Sequence, residues 1–403
     1  MRQSNQGVAG RGDGWRVVSV ILVLGFTPLT ACADPEGPAA EGPPPGTPAE
    51  VAHDPALSLG VVAGDPDQEF HQVGVPFFLA DGRVAVPLGS PPEIRLFDRE
   101  GALTETLGRE GEGPGEFTRL SAAWARGDTV EALDVQQARA TRFLPDGELE
   151  VRAFEATEIL YSGLPGRLPG AWVALTWSSL GPGGREELAL RRFSLDGSHQ
   201  EQLATLGGMI RVSGPAASGV HPLSPRVVLR AEGGHLYFAD SWEPRIHRVT
   251  DEGAVEEFLA WEPGPVPGPR EALEVVREAL VERDDQRGGA EIAAHLLESD
   301  EEYPVSVFWD FQVDPAGYVW VLPFDPARHS LSLGDLGGPG VFQSGSYEAE
   351  RWTVLDLEGQ VVGEVALPGD FRIAELREDE LLGVRRDPVT GVEMVEVLRV
   401  ERR

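Results

Sequence analysis

The side chains able to do chemistry in this chain are few in kind and scattered in place. Cys32 is the only thiol among 403 residues, so no disulfide and no CxxC metal or redox pair can form within the chain. Eight histidines, at positions 53, 71, 199, 221, 235, 247, 295 and 329, share no repeated spacing, and no HExxH occurs. His235 and His247 come nearest to a pair, on neighbouring strand-like runs, but their positions favour different ends or faces over shared ligation of zinc. No GxSxG nucleophile elbow is present. Gly181-Pro182-Gly183-Gly184 and the glycines between Gly108 and Gly115 lack the Lys-Ser/Thr that makes a phosphate loop, and read as turns. Acid pairs such as Asp284-Asp285 and Glu301-Glu302 read as solvated surface charge. One constellation stands apart. Trp124, Trp242 and Trp309 fall close in register to Arg211, Arg226 and Asp310. Indole faces beside guanidinium and carboxylate groups make a ligand- or protein-binding surface, although the same aromatics also serve as packing between sheets.

Composition narrows the partners. The formal charge is −32, which repels nucleic acid and anionic lipid surfaces. All 34 basic residues are arginine, and Asn5 is the only asparagine. This is the imprint of a coding bias, with adaptation to high salt as the second reading. With 49 glycines and 33 prolines, turns are favoured over long helices, while 41% apolar residues suffice for a sizeable core.

The elements that must position these residues begin with an export segment. Arg2, Arg11 and Arg16 precede a short apolar run over 17–26, about half the roughly 20 residues of a membrane span. A basic stretch followed by a short apolar run is the pattern of a secretory signal. Leu29-Thr30-Ala31-Cys32 resembles the bacterial lipobox. The resemblance implies a diacylglycerol on the Cys32 thiol, cleavage of residues 1–31 and acylation of the new terminus. Ala33, rather than aspartate, after the cysteine implies outer-membrane sorting. Two or three acyl chains give a stable anchor where one is marginal. Residues 32–56 hold almost no large apolar side chains and read as an extended Pro/Gly/Ala-rich tether.

From residue 57 a unit recurs. A Gly turn is followed by a strand, a second strand, then an Asp-Gly or Glu-Gly turn and a third strand. Six copies centre on 83–107, 130–154, 172–197, 235–253, 318–367 and 380–400. Five continue into a fourth strand and the sixth does not, while 57–62 is a strand with no unit of its own. The economical solution is an all-β, six-bladed β-propeller over 57–403, closed when the N-terminal strand completes the last blade. A β-sandwich has no use for the repeat or the orphan strand. Two stretches interrupt it. Residues 268–300 are a helical insertion, with Leu273, Val276, Leu280 and Val281 on one face, serving as a cover on the propeller or as a partner-docking pair. Residues 326–350 are a mobile loop rich in Gly and Ser.

Leu107-Gly-Arg-Glu-Gly-Glu-Gly-Pro-Gly-Glu-Phe117, followed by 127–143, resembles an NHL repeat, though the Asn-His-Leu triplet itself is absent. The order of elements over 57–403 resembles the six-bladed propeller lipoproteins of bacteria in the NHL and TolB-like group. The resemblance implies fold and envelope location. It also frames what is missing: the calcium-dependent lactonase and quinoprotein propellers use Asn or Lys that this chain lacks after its signal. The reading is therefore a lipid-anchored, non-catalytic binding or scaffolding module for a protein or small ligand, with no cofactor and no metal. The competing reading is a divergent propeller hydrolase or lyase with its site at the channel mouth. A Cys32→Ser chain is expected to leave the membrane pellet for the soluble fraction. Unchanged fractionation would show that Cys32 carries no lipid.

Overall fold

The computed structural model describes residues 49–402 except 154–159, 169–170, 182–183, 195–199, 214–217, 251, 283–288, 300–302, 330–349 and 388. Cys32, the signal segment, most of the tether and most of the 326–350 loop lie outside the described residues.

Six antiparallel sheets form a six-bladed propeller. Each blade runs from an inner strand to an outer one. Blade 1 holds Phe77–Phe78, Val84–Gly89, Pro92–Phe97 and Leu103–Leu107; blade 2 holds Ala122–Arg126, Thr129–Asp134, Arg139–Phe143 and Leu149–Ala153. Blade 3 is enlarged, with Leu160–Leu168, Ala171–Leu180, Arg185–Ser194, Gln200–Ser213 and a short fifth strand, Ser218–Val220. Blade 4 holds Val227–Glu232, His235–Asp240, Arg245–Val249 and Val255–Ala260, and blade 5 holds Phe308–Asp314, Tyr318–Pro323, Glu350–Leu355 and Val361–Leu367. Blade 6 has only three strands of its own, Phe371–Leu376, Glu380–Arg386 and Glu393–Arg402.

Side-chain alternation explains the stacking. Within blade 1, Val84 and Val86 face the core shared with blade 6, while Ala85 faces the core shared with blade 2. Period-two patterning thus supplies two apolar faces to every blade. Trp320 and Trp352 fill the seam between blades 5 and 6. The turns repeat as well. Asp98 Oδ1 accepts from the backbone N–H groups of Glu100 (3.1 Å) and Ala102 (2.8 Å). Asp356 Oδ1 does the same for Glu358 (3.1 Å) and Gln360 (2.8 Å). In each turn the glycine, Gly101 (φ 87°) or Gly359 (φ 79°), takes the left-handed conformation that closes it.

The last blade is completed from the other end of the chain. Leu57–Leu59 pairs with the final strand, Leu57 opposite Val397 and Leu59 opposite Val395. The closing segment differs in detail from the sequence reading. Its paired part ends at Leu59, because Gly60 turns away at φ 116°. It also starts earlier: Ala49–Val51, within the stretch read as tether, pairs with Val400–Arg402. Leu59 is fully buried in the blade 6–blade 1 core, and Ala49 and Val51 lie in the blade 5–blade 6 core.

Antiparallel connectivity sorts the connections onto two ends. Turns between first and second strands, and between third and fourth, sit at one end, here called the turn end. Second-to-third connections and those between blades sit at the other, the loop end. Among the described residues the long excursions leave and rejoin the blades at the loop end. One is the helical insertion, Pro269–Glu282 and Gly289–Glu298, between blades 4 and 5. Ala272, Leu273, Val276, Leu280, Ile292, Ala293 and Leu296 pack with Leu223 and Val305, with Phe324 at the margin. The insertion is thus a cover on the propeller. Val281, placed on the buried face by the sequence, is 65% exposed, since it lies about 100° round the helix from Leu280.

Leu59→Ala is expected to lower the unfolding free energy by about 3 kcal/mol, as a core truncation at the closing seam. Urea unfolding of the two chains checks this; equal midpoints would show that the seam does not carry the ring.

Candidate functional site

The inner strands of blades 4, 5 and 6 each carry two or more polar residues. Arg230 and Glu232 alternate on the first, Asp310, Gln312 and Asp314 on the second, and Arg372 and Glu375 lie on the third. These strands start at the loop end and run to the turn end, so each residue's place along its strand gives its depth in the channel.

At the loop end Trp309 is the centre. It is buried, with the Arg226 guanidinium over its ring at 4.6 Å and the His329 ring stacked on it at 5.0 Å and 6°. Phe324 lies 5.9 Å away. Hydrogen bonds fix the setting. Arg226 N donates to Ser241 Oγ (3.0 Å), Ser241 Oγ meets Ser306 Oγ at 2.8 Å, and Val307 N donates to the Ser241 carbonyl (2.8 Å). Arg226 is therefore held against the start of blade 5. His329 Nδ1 accepts from Asp325 N at 3.0 Å, which leaves the ring proton on Nε2, 3.5 Å from Glu350 Oε1.

One step deeper, Asp310 pairs with Arg230 of the neighbouring blade. Gln312, with its amide oxygen turned to Arg230, accepts from Nε at 2.8 Å. Arg230 Nη1 donates to the Leu229 carbonyl at 2.7 Å, and Phe311 N donates to Asp310 Oδ1 at 2.7 Å. Arg372, on blade 6, has its Nη2 enclosed away from solvent. Burial pushes its guanidinium down to about 10; Glu393 opposes this, and the charges of Arg386 and Arg230 add to it. Asp370, immediately before the strand, sits at φ 55°. Burial raises its carboxyl to about 6, against the pull of Arg386 and Arg372 and with the help of Glu350 and Glu393.

The structure thus brings Trp309, Arg226 and Asp310 to one region. Trp242 lies at the loop end too, beside the seam of blades 3 and 4, under the guanidinium of Arg185 at 4.3 Å. Arg185 pairs with Asp240 and donates to the Gly207 carbonyl at 3.1 Å. Arg211 pairs instead with the buried Glu186, Nε to Oε1 at 2.8 Å. Trp124 belongs to another arrangement in blade 2. Its Nε1 donates to the buried Glu131 at 2.8 Å, and Arg126 and Arg142 flank the same carboxylate at 3.1 and 3.2 Å. His235 and His247 are also apart in their contacts: His247 stacks on Phe238, His235 meets Tyr237 edge-on. Among the described residues no group of three or more His, Cys, Asp or Glu is placed to hold a metal ion. Arg230, Gln312, Arg372, Asp370 and His329 were not singled out in the sequence; the polar alternation on the inner strands was the signal available for the first three.

At the turn end the acids recur. Glu375 accepts from Phe78 N (3.0 Å) and from Arg377 Nε (2.9 Å). The buried Asp314 takes both arms of Arg402 and the indole N–H of Trp320, the latter at 2.9 Å. Burial, and then the charge of Glu375, raise Glu232 to about 7 from its ordinary 4.5. Between those values the folded chain keeps a proton that the unfolded chain has released, so stability falls as pH rises toward 7 and levels off above it. Asp370 contributes in the same direction. Glu232→Gln is expected to be more stable than the parent at about pH 8, by about 1 kcal/mol after allowance for partial solvent contact. The two chains should converge at about pH 4.5, below the shifted pKa. Thermal unfolding across this range checks it; parallel curves would place the charge of Glu232 in solvent.

No family model matches the chain, and no curated protein does. Solved structures do. A member of the DUF4221 family from Bacteroides vulgatus is 10% identical, with 88% of this chain and 99% of that chain covered and a TM-score of 0.55. A virginiamycin B lyase from Staphylococcus aureus is also 10% identical, covering 85% and 98%, at a TM-score of 0.39. A gluconolactonase from Xanthomonas campestris is 13% identical, covering 82% and 87%, at 0.39. The likeness to the DUF4221 protein is one of fold: this chain is a six-bladed β-propeller with structural relatives among bacterial proteins.

Proposed function

We propose that this chain is an envelope-anchored lipoprotein whose propeller is a binding module, taking its ligand at the loop end of the channel over Trp309. One observation carries the reading. Blades 4 and 5 converge there on an aromatic and ionic group, Arg226–Trp309–His329 above Arg230–Asp310–Gln312, whose members are held by ring contacts, an ion pair and hydrogen bonds within the chain itself. A preorganised polar group beside an aromatic wall is the usual make-up of a small-molecule site. The Leu29–Cys32 motif supports the anchor, and the Pro/Gly/Ala-rich stretch after it supports a spacer between membrane and propeller.

A second reading, a propeller hydrolase or lyase, draws on Asp370. A carboxyl raised to about 6 and set among Arg372 and Arg386 is suited to proton transfer near neutral pH. It lies at the same end of the channel, so both readings point to one mouth.

The test is a thermal-shift screen of the full chain against small acids, sugars, amines and peptides. Compounds that stabilise the parent are expected to bind Arg226→Gln about tenfold more weakly. Arg99→Gln, at the turn end, should bind as the parent does. Equal binding by all three chains would remove the loop end as the site. Turnover of a stabilising compound, lost in Asp370→Asn, would favour the catalytic reading.

A further inference from the structure

We propose that the outer strand of blade 2, Leu149–Ala153, is a docking edge for the same strand of a second copy, joining two propellers about a two-fold axis through Val151. The surface is separate from the loop-end group and does not depend on it. The strand is the last in its sheet and pairs residue for residue with Arg139–Phe143. Among the described residues no strand lies on its other side. Edge strands are commonly protected by proline, lysine or a bulge, and this one has none of them. Leu149 and Val151 stand 46% and 40% exposed.

The ladder decides which backbone groups face outward. At the turn before the strand, Leu144 N donates to the Glu148 carbonyl at 2.9 Å. Bonded and unbonded pairs alternate along an antiparallel ladder, so Arg142–Glu150 and Ala140–Arg152 are the bonded pairs of this hairpin. The N–H and C=O groups of Leu149, Val151 and Ala153 therefore point away from the sheet. A second copy laid antiparallel, with Val151 opposite its own counterpart, meets that pattern. The two Val151 residues exchange both bonds, and Leu149 does the same with Ala153 of the second copy.

The side chains match in the same register. Glu150 falls opposite Arg152 of the second copy, twice by symmetry, in the unbonded pairs where side chains come closest. Leu149, Val151 and Ala153 continue one apolar stripe across the join. Within one copy, Glu150 Oε2 takes Arg142 at 2.6 Å and Arg152 at 3.5 Å. Oε1 of Glu150 and the rest of the Arg152 fork stay open to the second copy. The outer strands of blades 1, 4 and 5 lack this match. Leu103–Leu107, Val255–Ala260 and Val361–Leu367 carry acids alone, Glu105, Glu256 with Glu257, and Glu364, and offer no opposite charge to a copy of themselves. The charge of −32 on each copy opposes association, so the join needs enough salt to screen it, as at about 0.15 M, where the screening length is about 8 Å.

Sedimentation equilibrium of the full chain carrying Cys32→Ser, which keeps lipid out of the measurement, tests this at about 0.15 M salt. A reversible dimer is expected, with a Kd of about 100 µM for so small an interface. Val151→Pro removes an outward N–H and leaves the ladder within blade 2 whole, so it should weaken the dimer about tenfold or more. Glu150→Arg and Arg152→Glu should each weaken it about tenfold alone, while an equal mixture of those two chains restores association, because each then meets its opposite. Val151→Cys should cross-link to its own counterpart under mild oxidation, whereas Val255→Cys, on the outer strand of blade 4, should not. Circular dichroism and melting confirm that each variant is folded; should Val151→Pro fail to fold, the two charge reversals and their mixture decide. A chain that stays monomeric up to about 1 mM, a dimer indifferent to the strand substitutions, a mixture no better than its parts, or equal cross-linking at both cysteines overturns the proposal.

Discussion

The pairing of the N-terminal segment with the last strand is the constraint on which the rest of the molecule depends. Blade 6 has three strands of its own, and its outer edge is supplied by Leu57–Leu59 and Ala49–Val51. Without that edge, the final strand would expose a row of unpaired backbone groups and the apolar seams on both sides of blade 6 would open. The ring is shut only by this edge, and the Arg230–Asp310 pair and the Arg226–Trp309 contact form only because blades 4 and 5 are held against each other within it. A local interaction of a few residues thus governs a site whose parts are far apart in the chain.

The second organising feature is the treatment of buried charge. Glu131, Glu186, Asp314 and Glu396 are almost wholly buried, and each meets at least one arginine: Arg126 and Arg142, Arg211, Arg402, and Arg385 respectively. Ionic groups removed from water need a partner that satisfies their lone pairs as well as their charge, and the guanidinium fork does both. An all-arginine cation set therefore has a structural use here, whatever its origin in coding bias. Asp370 and Glu232 depart from this pattern. Their environments favour the neutral form, which is why they stand out as titratable groups in the channel.

Much of the fold was legible in the sequence because its cause is local. Gly101 and Gly359 mark turns whose aspartates, Asp98 and Asp356, lie three residues before, and the repeat of that grammar counts the blades. The orphan strand at 57–62 revealed the closure by stoichiometry. Its true extent was less visible: Ala49–Val51 is short and sits in a stretch of Pro, Gly and Ala, so nothing in its composition distinguishes it from tether until its partner is known. The site was harder still. Trp309, Arg226 and Asp310 stood out by residue type, and the fold does gather them. Trp124 stood out for the same reason, yet its indole serves Glu131 in another blade. Arg372, Asp370 and His329 take their meaning from burial and from residues on other strands, such as Trp309 for His329 and Glu393 for Arg372, which no spacing within a unit displays.

The register of the closing segment fixes where the chain enters the ring. Ala49 lies opposite Arg402, at the turn end, and Leu59 lies opposite Val395, nearer the loop end. Any load applied to the chain upstream of Ala49 is therefore delivered to the face opposite the Trp309 group, and reaches the Ala49–Arg402 pair first.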